Sequence, residues 1–191
     1  MLSDLHYMDP ALLREDCAAF QMYLMQDRKL LAESDVILEQ LISELLIEKP
    51  DLVLITGDMT KDGELVCHQA VLKQLRIPEA NKIKVLVVPG SHDINNPDTV
   101  LFDGDHTEPV RTISPGEFSS LYAAYGYGSA IARDPNSLGY IFEPFKDFFV
   151  LTWEFRFLNM RQPSPSRHLN SLRNTCSWVR PTMCQNCMQP W

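Results

Sequence analysis

The sequence lacks the features that mark several common classes of protein. No apolar run approaches the roughly 20 residues needed to cross a bilayer, so no membrane segment is expected. The start, Met1-Leu2-Ser3-Asp4, has neither the basic residues nor the apolar stretch of a secretory signal, which predicts a cytoplasmic location unless an export signal precedes it. The five cysteines do not form the pattern of a disulfide framework. Because 25 acidic residues outnumber 17 basic ones, a nucleic-acid-binding surface is not expected either.

Charge is distributed unevenly along the chain. Residues 152–191 contain five arginines and one acidic residue, whereas the other 24 acidic residues precede them. The same region holds four of the prolines and three of the five cysteines, and its hydrophobic periodicity is poor. We therefore divide the chain into an acidic, well-patterned body at 1–152 and a divergent tail at 153–191, which we expect to be poorly structured.

Helical and strand patterns alternate in the body. Apolar residues at helical spacing predict four helices, at 10–31, 34–49, 64–76 and 115–125. Short apolar runs predict four strands, at 52–55, 83–88, 139–142 and 148–152. Ser34 is expected to cap the second helix. Helices that alternate with buried strands indicate an α/β domain with mainly parallel strand pairing.

Polar side chains follow the ends of the predicted strands. Asp4-Leu5-His6 lies near the start of the chain, and Gly57-Asp58 comes directly after an apolar strand. Gly90-Ser91-His92-Asp93 follows the next strand in the same way. Because chemistry in an open α/β sheet collects beyond the carboxyl ends of the strands, two carboxylates and two imidazoles are expected to meet there.

This set of side chains suits a divalent metal ion. Carboxylate oxygens and imidazole nitrogens are ligands of Mn, Fe and Zn. The alternation in Asp4-Leu5-His6 lets two side chains converge from one extended segment, and Asp58 has two oxygens with which to bridge two ions. Each motif alone is more often a turn, a cap or a loop. Their order and their placement at strand ends together predict a metal site.

The same motifs resemble those of a known family, the calcineurin-like metallophosphoesterases. The family pattern is D-x-H, then GD, then GNH followed by Asp or Glu. The matching segments are Ser3-Asp4-Leu5-His6, Thr56-Gly57-Asp58-Met59-Thr60 and Val88-Pro89-Gly90-Ser91-His92-Asp93. The resemblance covers about residues 3–152.

The resemblance implies a fold, a reaction and a set of site residues. The fold is a β-sandwich flanked by helices that holds two divalent metal ions, Mn, Fe or Zn. The reaction is the hydrolysis of a phosphate ester, in which a metal-bound hydroxide attacks phosphorus. By the resemblance Asp4, His6 and Asp58 bind metal, and His92 is the general acid or stabilises the leaving oxygen.

The sequence also departs from the family pattern. Ser91 replaces an asparagine that ligates the second metal, and a hydroxyl is a poorer neutral ligand, so this chain is expected to hold one metal more firmly than a second. The family pattern continues with a distal histidine and a GHxH motif, but neither His106 nor His168 lies in such a motif, so the distal histidines are missing. Only three residues precede Asp4, where the family has a full strand. We therefore expect an incomplete fold, without the first strand and the C-terminal part of the second sheet, and an impaired hydrolase.

Three alternatives to an active hydrolase remain open. The chain could be a catalytically inactive relative that binds one metal ion or a phosphorylated ligand through Asp4, His6 and Asp58. It could be an unstable fragment whose sheet edge and apolar surface are uncovered. It could also be an unrelated α/β binding module in which the three motifs are turns.

Overall fold

The computed structural model describes residues 1–14, 18–26 and 29–153. The helical elements are a 3₁₀ turn at Pro10–Leu12, α1 at Ala18–Gln26, α2 at Ser34–Glu48, α3 at Leu65–Ala80, α4 at Pro115–Leu121, and 3₁₀ turns at Ala123–Tyr125 and Tyr127–Ser129. The strands are β1 at Leu52–Ile55, β2 at Lys84–Val87, β3 at Val100–Asp103, β4 at His106–Pro109, β5 at Ala132–Arg133, β6 at Tyr140–Phe145 and β7 at Phe148–Leu151. Beyond Trp153, the predicted tail lies outside the described residues.

The parallel pair β1 and β2 is the part of the fold that positions the site. Leu52 pairs with Lys84 and Ile55 with Val87, and α3 forms the crossover between the two strands. This arrangement confirms the predicted α/β class. The other pairs of named strands are antiparallel, so among the described strands the prediction of mainly parallel pairing holds for β1 and β2 alone. Isolated parallel bridges also join Leu2 to Ile55, Tyr7 to Thr60 and Leu13 to Phe102.

The hairpin of β3 and β4 was not expected from the sequence. Its turn is polar, and the residues of β4 are mostly exposed, so no apolar alternation marks it. Phe102 of β3 is nevertheless buried and packs against Phe20 of α1, with ring centroids 5.1 Å apart. Tertiary packing therefore forms this hairpin where local sequence gives little signal.

The helix predicted at 10–31 is interrupted. Asp9 caps the 3₁₀ turn at Pro10–Leu12 with its side chain, and Leu13 returns to extended backbone. Leu13 then pairs in parallel with Phe102 of β3. The prediction of one continuous helix is wrong because this pairing outweighs helical propensity.

Helix α2 lies where the sequence predicts it but begins differently. Glu33, and not Ser34, occupies the N-cap position. Ser34 is the first helical residue and is buried, so its hydroxyl needs partners. The hydroxyl donates to the carbonyl of Leu31 at 2.8 Å and accepts from the N–H of Met8 at 3.0 Å.

The first residues of the chain lie alongside β1. The N–H of Leu2 donates to the carbonyl of Leu54 at 2.8 Å, and the N–H of Thr56 donates to the carbonyl of Leu2 at 2.9 Å. Tyr7 pairs in parallel with Thr60 further along. This short parallel segment carries the Asp-x-His motif to the carboxyl end of β1.

Aromatic side chains join the remaining elements to the central strands. Tyr140 of β6 is buried, and its hydroxyl donates to the carbonyl of Val87 in β2 at 2.9 Å. Phe118 and Tyr122 are fully buried against each other, with ring centroids 4.5 Å apart. Among the described residues, no helix combines the length and the hydrophobicity required to cross a membrane.

Candidate metal centre and its histidine

Asp4, His6 and Asp58 meet where the chain start runs beside the end of β1. The N–H of Asp4 donates to the carbonyl of Gly57 at 3.2 Å, and the N–H of His6 donates to the carbonyl of Asp58 at 2.9 Å. One ligand atom from each of the three side chains lies within 4.8 Å of the others. We call Asp4, His6 and Asp58 the metal cluster, and the spacing of its donor atoms is suited to a single cation.

The donors of the metal cluster have the chemistry of a metal site. Two carboxylates and one imidazole match the ligand preferences of Mn, Fe and Zn. Within the described residues, Nδ1 of His6 is buried and has no hydrogen-bond partner. A buried polar atom without a partner is energetically costly. Nε2 of the same ring lies 3.8 Å from Oδ1 of Asp4, another member of the metal cluster. Burial, and next the charge of Lys29, lower the pKa of His6, which favours the neutral imidazole that metals require.

The backbone at the metal cluster is strained. Asp4, His6 and Asp58 have φ values of 57°, 42° and 50°, in the left-handed region that side-chain-bearing residues rarely adopt. Such conformations are destabilising and are concentrated at functional sites. Tertiary contacts rather than local propensity therefore impose the convergence of these three side chains.

Two glycines allow the loops after β1 and β2 to touch. Gly57 has a φ of 103°, and a Cβ placed there would lie 2.5 Å from the backbone nitrogen of Gly90. A Cβ at Gly90 would overlap the backbone nitrogen and the carboxylate of Asp58. Glycine is required at both positions because the two backbones pack directly against each other.

His92 lies beside the metal cluster. Its N–H donates to Oδ1 of Asp58 at 2.9 Å, and its ring centroid is 4.9 Å from that of His6 in an edge-to-face arrangement. The structure thus brings together all four side chains that the sequence nominates. Their roles as ligands and proton donor stay predictions.

Asp62 orients the ring of His92, and sequence analysis did not identify it. Oδ1 of Asp62 lies 2.9 Å from Nδ1 of His92. Because a carboxylate only accepts, Nδ1 carries the proton, and Nε2 is left as the atom for proton exchange. This hydrogen bond raises the pKa of His92. The run Lys61-Asp62 follows the second motif at a strand end, which is the signal that could have revealed it.

Lys61, Asp62 and Glu64 form a second group of charges, which we call the buried charge cluster. The ammonium of Lys61 lies 2.6 Å from Oδ2 of Asp62 and 2.9 Å from Oε1 of Glu64. The side chains of Lys61 and Glu64 have no exposed surface, and that of Asp62 is 4% exposed. Burial acts to raise the pKa of Asp62, but the His92 hydrogen bond and the Lys61 charge outweigh it and lower that pKa to about 2.

Asp93 and His68 hold the loop that carries His92. Asp93 is buried and accepts from the Thr60 N–H at 3.0 Å and from the Gly90 N–H at 2.8 Å. Nε2 of His68 donates to the carbonyl of Asp93 at 2.8 Å, so Nδ1 accepts from the Tyr122 hydroxyl at 2.9 Å. His68 is fully buried. Helical periodicity alone could not show whether its side chain is buried or lies at the surface.

Two residues discussed from the sequence are not members of the metal cluster. Ser91, the replacement for the family's asparagine, is exposed. His106 and Glu108 of β4 form, with Asp103 of β3, a second group that could hold an ion. Arg14 pairs with Asp103 at 2.9 Å and with Glu108 at 3.2 Å, so this surface group already has a cation. His168 lies outside the described residues.

The fold and the site define a class of protein. A parallel strand pair with a crossover helix, and carboxylates and imidazoles at its carboxyl edge, are features of metal-dependent hydrolases. The model of the calcineurin-like phosphoesterase family matches residues 1–148, and the chain belongs to this family. Membership implies divalent metal ions.

One curated relative shares part of the chain. A segment of 59 residues is 39% identical to a protein of Vesicomyosocius okutanii subsp. Calyptogena okutanii (strain HA) named "Probable cyclic nucleotide phosphodiesterase". The segment covers 31% of this chain and 24% of that protein. The chain therefore spans about a quarter of the length of the curated relative it matches.

Proposed function

We propose that this protein is a metal-dependent hydrolase of phosphoric esters. The observation that carries the proposal is the convergence of Asp4, His6 and Asp58, with donor atoms within 4.8 Å, beside a histidine oriented by a carboxylate. Family membership supports the same reaction class. An inactive relative that binds metal or phosphate would share the cluster, so activity is the property that must be tested.

The metal cluster would hold one divalent ion, which we propose to be Mn, Fe or Zn. When bound, such an ion supplies a Lewis acid that lowers the pKa of water and neutralises phosphate charge. The exposed carboxylate of Asp4 and the half-buried side chains of His6 and Asp58 leave one side of the site open to solvent. A substrate phosphate could approach from that side.

His92 would act on the leaving group. With Nδ1 hydrogen-bonded to Asp62, Nε2 is the ring atom that can donate a proton to a departing alkoxide. The hydrogen bond from the backbone N–H of His92 to Oδ1 of Asp58 fixes the histidine backbone relative to the metal cluster. Asp62 is therefore a positioning residue, which holds the ring orientation and does not touch the substrate.

The substrate is proposed at the level of chemical class. The name of the curated relative indicates a phosphodiester substrate, and we propose a phosphodiester as the substrate of this chain as well. A cytoplasmic location likewise stays a prediction from the sequence.

The test compares hydrolysis by the wild-type chain and by Asp58→Asn. The substrates are p-nitrophenyl phosphate and bis(p-nitrophenyl) phosphate, each with added Mn²⁺. We expect Asp58→Asn to lose the metal-dependent activity, and His92→Asn to lower kcat by about 100-fold or more while still binding Mn²⁺.

The matched control is Asp51→Asn, which makes the same chemical change at an exposed position. It should hydrolyse both esters at the wild-type rate. Equal rates in wild type and Asp58→Asn would refute the hydrolase. Binding of Mn²⁺ by the wild type without any turnover would instead favour the inactive relative.

A further inference from the structure

Tyr23 of α1 reaches the site although no motif includes it. Its hydroxyl donates to Oδ2 of Asp62 at 3.2 Å. The other oxygen of the same carboxylate accepts from Nδ1 of His92 at 2.9 Å. A tyrosine, a carboxylate and the proposed proton donor therefore form one chain of hydrogen bonds, and this chain starts in a helix, 39 residues before Asp62.

Two further contacts hold the ring of Tyr23 in place. It packs against Phe102 of β3 in an edge-to-face arrangement, with ring centroids 5.3 Å apart. The buried ammonium of Lys61 lies 5.2 Å from the centroid of the Tyr23 ring. Aromatic rings attract cations at this range. The position of the Tyr23 hydroxyl is therefore fixed by the packing of its ring.

Lys61 and Tyr23 hold the same oxygen of Asp62 from different parts of the fold. Lys61 is next to Asp62 in the chain, and its ammonium lies 2.6 Å from Oδ2. It also pairs with Glu64, which belongs to the same segment between β1 and α3. Tyr23 belongs to α1. Its hydroxyl is therefore the donor that connects the Asp62 carboxylate to a separate helix.

The orientation of Asp62 matters because it determines the orientation of the His92 ring. The bond from Nδ1 of His92 to Oδ1 of Asp62 leaves Nε2 for proton exchange. A rotated carboxylate would turn that ring, and a displacement of about 1 Å at a reacting group can lower a rate by about 100-fold. A side chain that holds Asp62 can thus affect the reaction without contacting the substrate.

We propose that Tyr23 is a positioning residue, whose hydroxyl holds Asp62 in the orientation that keeps Nε2 of His92 directed at the leaving group. The inference rests on the proposed function and extends its machinery to α1, a helix outside the three motifs. Loss of this one hydroxyl should slow the chemical step and leave substrate binding nearly unchanged, because Tyr23 acts through Asp62.

The test is Tyr23→Phe in the full chain, which removes the hydroxyl and retains the ring. The matched control is Tyr125→Phe, because Tyr125 also donates to a carboxylate, Oε2 of Glu79 at 3.1 Å, near the C-terminal end of α3. The substrate is bis(p-nitrophenyl) phosphate with Mn²⁺. We expect Tyr23→Phe to lower kcat by about tenfold with KM unchanged, since a hydrogen bond to a charged group contributes about that factor.

Tyr125→Phe should change neither kcat nor KM. Equal losses of kcat in the two variants would mean that a general loss of stability causes the effect, which would overturn the proposal. A higher KM with unchanged kcat in Tyr23→Phe would also overturn it, because the hydroxyl would then act in substrate binding.

A double variant tests whether Tyr23 acts through Asp62. Asp62→Ala removes the carboxylate, so Tyr23→Phe added to it should lower kcat by less than about twofold further. A further tenfold loss would show that Tyr23 acts by another route and would overturn the proposal. If Asp62→Ala does not fold, the spectroscopic measurement decides whether Tyr23 acts on the ring.

The Nδ1 proton of His92 provides this spectroscopic measurement, which does not depend on turnover. Its NMR resonance is identified by its loss in His92→Asn. In wild type and in Tyr125→Phe we expect the downfield resonance of a hydrogen-bonded proton. In Tyr23→Phe it should move upfield or broaden through faster exchange with water. An unchanged resonance in Tyr23→Phe, or no such resonance in wild type, would overturn the proposal.

These measurements distinguish the proposal from the hydrolase itself. An active wild type with an equally active Tyr23→Phe would refute the role of Tyr23 and leave the hydrolase intact. A wild type without turnover would refute the hydrolase. The resonance would then decide the role of Tyr23, since a change in Tyr23→Phe alone would support its hold on Asp62 and His92.

Discussion

The metal cluster and the buried charge cluster are adjacent groups of charged residues with opposite properties. Asp4 of the metal cluster has a side chain that is 65% exposed, whereas Lys61 and Glu64 of the buried charge cluster have none of their side-chain surface exposed. The metal cluster has strained backbone and a buried imidazole atom without a partner among the described residues. In the buried charge cluster, opposite charges are paired within 3 Å.

The difference separates a site that needs a ligand from one whose charges are already paired. Buried charges are tolerated only when they are paired, and breaking such a pair is strongly destabilising. Strain and unsatisfied atoms are retained where function requires them. Asp62 connects the buried charge cluster to the histidine beside the metal cluster, since Lys61 neutralises one of its oxygens and His92 binds the other. The buried charge cluster therefore supports the orientation of the His92 ring.

The largest effect is expected from Lys61→Met, which breaks the buried charge cluster. Asp62 and Glu64 would be left as buried charges without their cation, at a cost of about 3–5 kcal/mol. Urea unfolding measures the loss. The exposed substitution Lys73→Met should change stability by less than about 0.5 kcal/mol. A small effect of Lys61→Met would show that the cluster is not sealed from water.

A smaller effect is expected from Gly90→Ala, which disturbs the metal cluster. The added Cβ would overlap the backbone nitrogen of Asp58 and lie 2.8 Å from its Cγ. Displacing that loop should destabilise the protein by about 1–3 kcal/mol and reduce the increase in Tm caused by Mn²⁺.

The matched glycine is Gly116 in α4, where a Cβ would meet no atom within 4 Å. Gly116→Ala should be neutral or stabilise by up to about 1 kcal/mol, because alanine favours the helix. If Gly90→Ala behaved like Gly116→Ala, the close packing of the two site loops would be disproved.

The smallest effect is expected from pH, through His68 behind the site loop. Burial lowers the pKa of His68, so below pH 6.5 the unfolded chain takes up a proton that the native imidazole resists. Stability should therefore fall as the pH is lowered through 6.5 toward the depressed native pKa. In His68→Gln the free energy of unfolding should depend less steeply on pH. The slope should decrease by at most about 1.4 kcal/mol per pH unit, which corresponds to the uptake of one proton.

Urea unfolding at pH 5 to 8 provides the slopes for both proteins. Equal slopes would mean that the native imidazole accepts its proton freely. His68 would then not be held neutral between Tyr122 and Asp93.

Local patterns predicted the elements that position the site. We could predict β1, β2 and α2 without tertiary information, because each element buries a continuous or periodic set of apolar side chains. The hairpin of β3 and β4 and the break after Leu12 were missed, since both depend on pairing and packing with Phe102.

The sequence by itself determined the family and nominated Asp4, His6, Asp58 and His92. The order of the motifs and their positions after predicted strands can be identified without a structure. Only the tertiary structure revealed which side chain orients the ring of His92. Asp62 is 30 residues from His92 along the chain, and their contact arises where the loops after β1 and β2 meet. Such contacts depend on long-range packing, which leaves no periodic trace in the sequence.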